Sequence, residues 1–274
     1  MIDAHQHFWR YDRRLYPWIG SDMQELRQDR LPGTLQALQE PLGIQGGVAI
    51  QARMDQSETQ WLLDLADSYP SILGVVGWTD LCAESVAWDL AKLKERPKLK
   101  GIRHMLQDEG DDRFMLRPQF IRGLQTLAVA GLTYDLLIPA RQMPMALELL
   151  PQVPQLRVVL DHVGKPNIKA AKLEPWRSQL IQLARLPNVY CKLSGLVTEA
   201  DWVQWEPSAM APYLDAAFEA FGPERLIYGS DWPVCTLAGA LEQVHGLVDG
   251  YIRAHWVEHH AAIFGSNAAR FYSL

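Results

Sequence analysis

The chain has 274 residues, 48% of them hydrophobic, and a formal net charge of -6. That length and hydrophobic content support one large core, and a closed α/β barrel takes about 250 residues as one unit, so a single domain over residues 1–274 is expected. The acidic balance argues against a surface built to neutralise phosphates or to lie on an anionic membrane, so neither nucleic acid nor membrane is an expected partner.

Short apolar runs alternate with segments of helical length, the pattern of a parallel sheet covered by helices. About eight such runs can be read. They are Ile2 to His7, Gly47 to Gln51, Leu73 to Asp80, Leu99 to Met105, Leu132 to Ile138, Arg157 to Val163, Val189 to Gly195 and Leu226 to Trp232. Amphipathic helices are predicted over Glu58 to Ser68, Glu84 to Leu93, Phe120 to Ala130, Met143 to Leu150, Glu174 to Leu186 and Met210 to Phe221. Strand then helix, repeated, predicts a (β/α)8 barrel with its site at the C-terminal ends of the strands. After the first run, Phe8 to Gly43 exceeds a normal connection and holds Trp9, Tyr11, Tyr16 and Trp18, so it is read as a loop covering that site. Thr198 to Pro212, with Trp202 and Trp205, is a second candidate lid. Cys82, Cys191 and Cys235 form no CxxC pair and read as reduced core residues. Met1 runs straight into Ile2-Asp3-Ala4 without a basic and apolar leader, so a cytoplasmic location is expected. Oligomerisation stays open, since exposed tryptophans serve a lid or an interface equally well.

The chemistry gathers at the strand ends. In His5-Gln6-His7 the two-residue period aims both imidazoles to one side, where they can hold a divalent metal or donate to a substrate oxygen. The competing reading is a pair of buried, hydrogen-bonded histidines. Asp231 closes the last run and points into the same mouth, which makes it the candidate general base; a turn aspartate before Trp232-Pro233 is the bland reading. His162 ends the sixth run as a ligand, acid or oxyanion donor, with Asp161 set opposite it by alternation and serving at most to orient it. The fourth run ends in Arg103 and His104, of which a regular strand turns only one inward. His104 is favoured as the catalytic residue and Arg103 kept as a substrate contact, since a bulge at the rim re-aims either. Trp18, Arg53, Trp78 and Lys165 are further candidate substrate contacts, while Asp80, Asp135, Lys192 and Ser194 read at least as well as structural residues.

The opening Ile2-Asp3-Ala4-His5-Gln6-His7-Phe8-Trp9, then Lys100-Gly101-Ile102-Arg103-His104, Leu160-Asp161-His162-Val163-Gly164-Lys165-Pro166, Cys191-Lys192-Leu193-Ser194-Gly195, Tyr228-Gly229-Ser230-Asp231-Trp232-Pro233 and Ile263 to Tyr272 occur in an informative order. Together they resemble the amidohydrolase superfamily, and within it the amidohydrolase 2 branch that contains sugar lactonases of the L-fuconolactonase and L-rhamnonolactonase type. The resemblance implies a hydrolase opening an aldonolactone, with His5, His7, His162 and Asp231 around a hydrolytic water. No bridging lysine or glutamate ends the fourth run and no histidine lies in the fifth, so a two-metal centre is not expected. The implied site holds one divalent ion, zinc or manganese, on His5, His7 and Asp231, or dispenses with metal. A metal-dependent decarboxylase of an aromatic or muconate-type acid is the alternative within the branch, and a non-catalytic barrel binding a sugar acid is the alternative outside it.

Overall fold

The computed structural model describes residues 1–274. Eight parallel strands lie in sequence order in one sheet: β1 (Ile2–Gln6), β2 (Gly46–Ile50), β3 (Ile72–Gly77), β4 (Leu99–His104), β5 (Thr133–Leu136), β6 (Val158–Leu160), β7 (Val189–Leu193) and β8 (Leu226–Tyr228). The sheet curls until its two edges meet. Gln6 pairs with Trp232, the His7 amide donates to the Trp232 carbonyl at 2.7 Å, and the Asp231 amide donates to the His5 carbonyl at 2.8 Å. Gly229 permits the approach, because a Cβ there would lie 2.6 Å from that of His5. Asp3 reinforces the seam: its buried carboxyl accepts from the Ser230 amide and hydroxyl, the His5 amide and Gln39. The barrel expected from the alternating pattern is therefore present.

Helices α1 (Pro32–Gln39), α2 (Gln56–Ser68), α3 (Val86–Leu93), α4 (Pro118–Val129), α5 (Met143–Leu149), α6 (Trp176–Ala184), α7 (Pro207–Phe221), α8 (Leu241–His255) and α9 (Asn267–Tyr272) complete the fold. Buried side chains on the outward faces of the strands, among them Ala49, Val75, Ile102, Tyr134, Leu160, Cys191 and Tyr228, pack with apolar residues of the helices. A smaller cluster, Val48, Ile50, Val76, Val159 and Ile227, packs against Ala268, Phe271 and Tyr272 of α9. Lys100 and Arg157, at the beginnings of β4 and β6, donate to the Ser273 and Phe271 carbonyls. The C-terminal helix thus plugs the barrel's N-terminal end and leaves the opposite end for the site.

Two features differ from the sequence reading. The long connection after β1 contains α1, so the irregular part ends near Leu31, and it is packed around its own cluster of Trp9, Tyr16, Ile19 and Leu26 with Ala52. The sixth run is strand for only three residues. Beyond Leu160 the backbone turns left-handed at His162 (φ 54), Val163 (φ 53), Gly164 (φ 71) and Lys165 (φ 48). For a β-branched residue such as Val163 that conformation is strained, and strain of this kind collects where surrounding packing holds a functional geometry. No helix is long and apolar enough to cross a membrane.

Candidate active site

At the C-terminal ends of the strands a cavity of about 240 Å³ is lined by His7, Arg103, His162, Lys165 and Asp231 on its polar side, and by Trp18, Met105, Leu137, Trp202 and Leu237 on its apolar side. His5 lies directly beneath, fully buried. Its Nε2 is 3.1 Å from His7 Nε2 and 3.7 Å from Asp231 Oδ1; His7 Nε2 and His162 Nε2 stand 3.4 and 3.9 Å from the same oxygen. Asp231 itself sits at φ 60, a conformation that aspartate tolerates better than most residues, and this turn directs its carboxyl back over the strand ends.

The left-handed turn also explains why both Asp161 and His162 face the interior, where strict alternation would have separated them. Asp161 binds Arg103 Nη1 at 3.1 Å and Lys192 Nζ at 3.0 Å, while His162 Nδ1 pairs with the Ser194 hydroxyl at 2.9 Å. Gly195, at φ 62, lets β7 pass: a Cβ there would come within 2.5 Å of the His162 ring.

Burial lowers the pKa of all three imidazoles, His162 to about 4, so they are neutral at neutral pH. Burial alone would raise Asp231, but the surrounding imidazoles, His162 first and then His7, outweigh it and hold the carboxyl well below the usual carboxylate range. His7 Nδ1 lies 2.8 Å from the Ile50 carbonyl, which can only accept, so the ring proton resides there and Nε2 presents a lone pair. His5 Nε2, His7 Nε2 and Asp231 Oδ1, separated by 3.1, 3.7 and 3.4 Å, match the roughly 3.3 Å edge of a tetrahedron with metal–nitrogen bonds of about 2.0–2.1 Å. The residues therefore fit a single divalent ion. His5, His162 and Asp231 likewise offer ligand atoms that all lie within 4.8 Å of one another.

Beneath this shell Lys192, at 0% exposure, bridges Asp135 Oδ2 at 2.5 Å and Asp161 Oδ1 at 3.0 Å and stands 3.2 Å from His5 Nδ1. The Tyr272 hydroxyl of α9 donates to Asp135 at 2.8 Å. A lysine inside the apolar run of β7 requires a buried carboxylate, so Lys192 and Asp135 carried a signal that a structural reading undervalued. Asp161, read as at most an orienting neighbour, contacts both cations.

His104 is the clear correction. It turns outward, stacks on Phe114 with centroids 5.1 Å apart, and bonds Glu109 at 2.7 Å and the Trp78 indole at 3.3 Å. It contributes nothing to the cavity, and Trp78 lies with it behind the sheet. Arg103 is the inward residue of the pair, in register with Asp135 on β5. Arg53 is likewise outside the cavity, bonded to Asp55 and Ser57 on the first turn of α2. Trp18 and Lys165 are where expected, Lys165 being tied to Glu199 and Gln107 at 3.1 Å each. Of the second candidate lid, Trp202 lines the cavity while Trp205 bonds the Ala238 carbonyl elsewhere. Gln107, Glu199 and Met23 also line it and were not singled out from the sequence, Met23 and Glu199 lying in the two segments read as covering the site.

A parallel barrel with histidines on its first strand and an aspartate after its last defines a strand-end hydrolytic or metal centre. The amidohydrolase family model matches residues 2–274, and the chain belongs to that family. An L-fucono-1,5-lactonase of Burkholderia multivorans is 42% identical, the alignment covering 100% of this chain and 96% of that protein. An L-fucono-1,5-lactonase of Burkholderia ambifaria is 37% identical, over 100% and 95%. The crystal structure of an amidohydrolase from Burkholderia multivorans with bound zinc superposes with a TM-score of 0.96 at 42% identity, covering 100% of this chain and 99% of that one. Family, zinc-bound relative and the His/Asp cluster are together consistent with a divalent metal here.

Proposed function

We propose that this enzyme hydrolyses the internal ester of a sugar-acid lactone of the L-fucono-1,5-lactone type. The observation that carries the reading is the convergence of His7, His162, Arg103 and Asp231 on one cavity, above His5, in a chain whose full-length relatives are L-fucono-1,5-lactonases. Asp231 accepts the proton of a water as its oxygen attacks the carbonyl carbon. The developing oxyanion meets the donors that line the cavity, Arg103 among them, and the ring C–O bond breaks as Asp231 returns the proton to the leaving alkoxide. Lys165, Glu199 and Gln107 present donors and acceptors to the hydroxyls of the sugar, and Trp18 and Trp202 offer flat apolar faces to its C–H surface. A divalent ion, zinc or manganese, held by His5, His7, His162 and Asp231 would lower the pKa of the attacking water and polarise the carbonyl.

A pH-indicator assay of an aldonolactone panel that includes L-fucono-1,5-lactone tests the reading. Acid release from at least one five- or six-membered lactone is expected, weakened but not abolished by chelation. A panel without turnover, with and without added zinc or manganese, would discard it. Release of carbon dioxide from an aromatic acid would instead favour the decarboxylase alternative.

A further inference from the structure

The site contains a cation of its own beside the nitrogen that would ligate a metal. Arg103 Nη1 lies 3.2 Å from His5 Nε2, the nitrogen that, with its neighbours on His7 and Asp231, would ligate the ion. Its other contacts are Asp161 Oδ2 at 3.1 Å and the Gln51 carbonyl at 2.5 Å, and its Nε–H is buried without an acceptor in the protein. A guanidinium never loses its charge at physiological pH, so it can only donate, and a donor at His5 Nε2 requires a lone pair there. His5 Nδ1 faces two groups: Asp161 Oδ1 at 3.4 Å, which can accept the ring proton and so leave the lone pair on Nε2, and Lys192 Nζ at 3.2 Å, which only donates and favours the other tautomer.

We propose that Arg103 is a built-in competitor of the divalent metal, its guanidinium and the ion claiming the same His5 lone pair. The two cannot share it: a ligand nitrogen has one lone pair, and the guanidinium charge would repel a divalent ion held there. Metal loading therefore requires the guanidinium to swing away from His5, and in the metal-free form a positive charge already occupies the floor of the cavity. On this proposal Arg103 lowers the affinity of the site for metal, and a positive charge faces the cavity floor when no ion is bound. The inference concerns cation binding alone and holds or fails independently of which lactone, if any, is turned over.

Zinc titration of the whole enzyme against a chromophoric chelator tests it, with circular dichroism and thermal melting to verify folding. Arg103→Gln removes the charge while retaining a polar side chain for the Gln51 carbonyl, and is expected to bind zinc more than about tenfold tighter than the parent. Arg103→Lys, which keeps the charge on a stem without the guanidinium fork, is expected to fall between the two. Unchanged or weaker zinc binding in a folded Arg103→Gln protein would overturn the proposal. Should that variant fail to fold, the zinc-loaded crystal structure of the parent decides. The guanidinium is expected out of hydrogen-bond reach of His5 Nε2, and finding it still bonded there with zinc on that nitrogen would equally overturn the proposal.

Discussion

Replacing Lys192 by Met isolates the charge balance on which the floor of the site rests. In the native protein Lys192 lies between Asp135 and Asp161, with all three side chains at 0% exposure. After the substitution Asp161 keeps Arg103 at 3.1 Å, whereas Asp135 retains the Tyr272 hydroxyl at 2.8 Å and no cation. Deleting one partner of a buried ion pair typically costs about 3–5 kcal/mol. The lower end applies, because Asp135 can escape by taking up a proton. Burial, with repulsion from Asp161 and against the pull of Lys192, already sets its carboxyl at about 6, and losing the ammonium drives it higher. Lys192→Met is therefore expected to cost about 3 kcal/mol near pH 8 and clearly less near pH 5, where a protonated Asp135 needs no cation. Adding Asp135→Asn removes the stranded charge and should recover about 2 kcal/mol near pH 8. Urea unfolding followed by the fluorescence of the ten tryptophans gives the stabilities of the parent, the two single variants Lys192→Met and Asp135→Asn, and the double variant. A single-variant cost below about 1 kcal/mol, or costs that simply add, would refute the assignment of Lys192 as the cation that Asp135 depends on.

Two further outcomes follow from neighbouring features. Glu58 at the start of α2 accepts from Tyr16 and from the Ala52 and Arg53 amides, and burial raises its carboxyl from an ordinary 4.5 to about 7. Its proton uptake thus stabilises the fold fully below pH 4.5, and that contribution fades as pH rises through 7. Relative to Glu58→Gln, the parent should gain about 3 kcal/mol on going from about pH 8 to about pH 4.5, and a pH-independent difference in urea midpoints would contradict this. Gly195→Ala places a methyl within 2.9 Å of three His162 atoms at a φ of 62. It should cost roughly 1–3 kcal/mol and slow lactone turnover roughly 10- to 100-fold by displacing the imidazole, and parent-like kcat would show that His162 has no positional role.

The architecture was legible because each buried strand writes a short apolar run and a polar residue where it reaches the rim. His5, His7 and Asp231 could be placed together on that basis alone. Three things exceeded what periodicity carries. Alternation on β4 leaves Arg103 and His104 equivalent, and the choice is made by the far side of the barrel: Asp161 and the Gln51 carbonyl receive the guanidinium, while Phe114 and Phe120 pack around the imidazole outside. Positive φ at His162 and Val163, neither of them glycine, breaks the alternation that follows Val159 and Asp161 and brings His162 inside as well. Helix α1 begins at Pro32 without a side-chain cap and so merges with the preceding loop, and α9 becomes a plug only through contacts with strand beginnings far away in the chain. Lys165, read as a substrate contact, and Lys192, read at least as well as a structural residue, find their partners far away in the chain: Lys192 has buried carboxylates, and Lys165 has the loop residues Glu199 and Gln107 at the cavity wall.

The most direct measurement is the steady-state turnover of L-fucono-1,5-lactone by Asp231→Asn, an isosteric change that leaves the seam between the His5 carbonyl and the Asp231 amide intact. If this carboxylate takes the proton of the attacking water, kcat falls by at least about 100-fold while far-UV circular dichroism and the melting temperature stay close to those of the parent. A folded Asp231→Asn protein that turns over at nearly the parental rate would contradict the account.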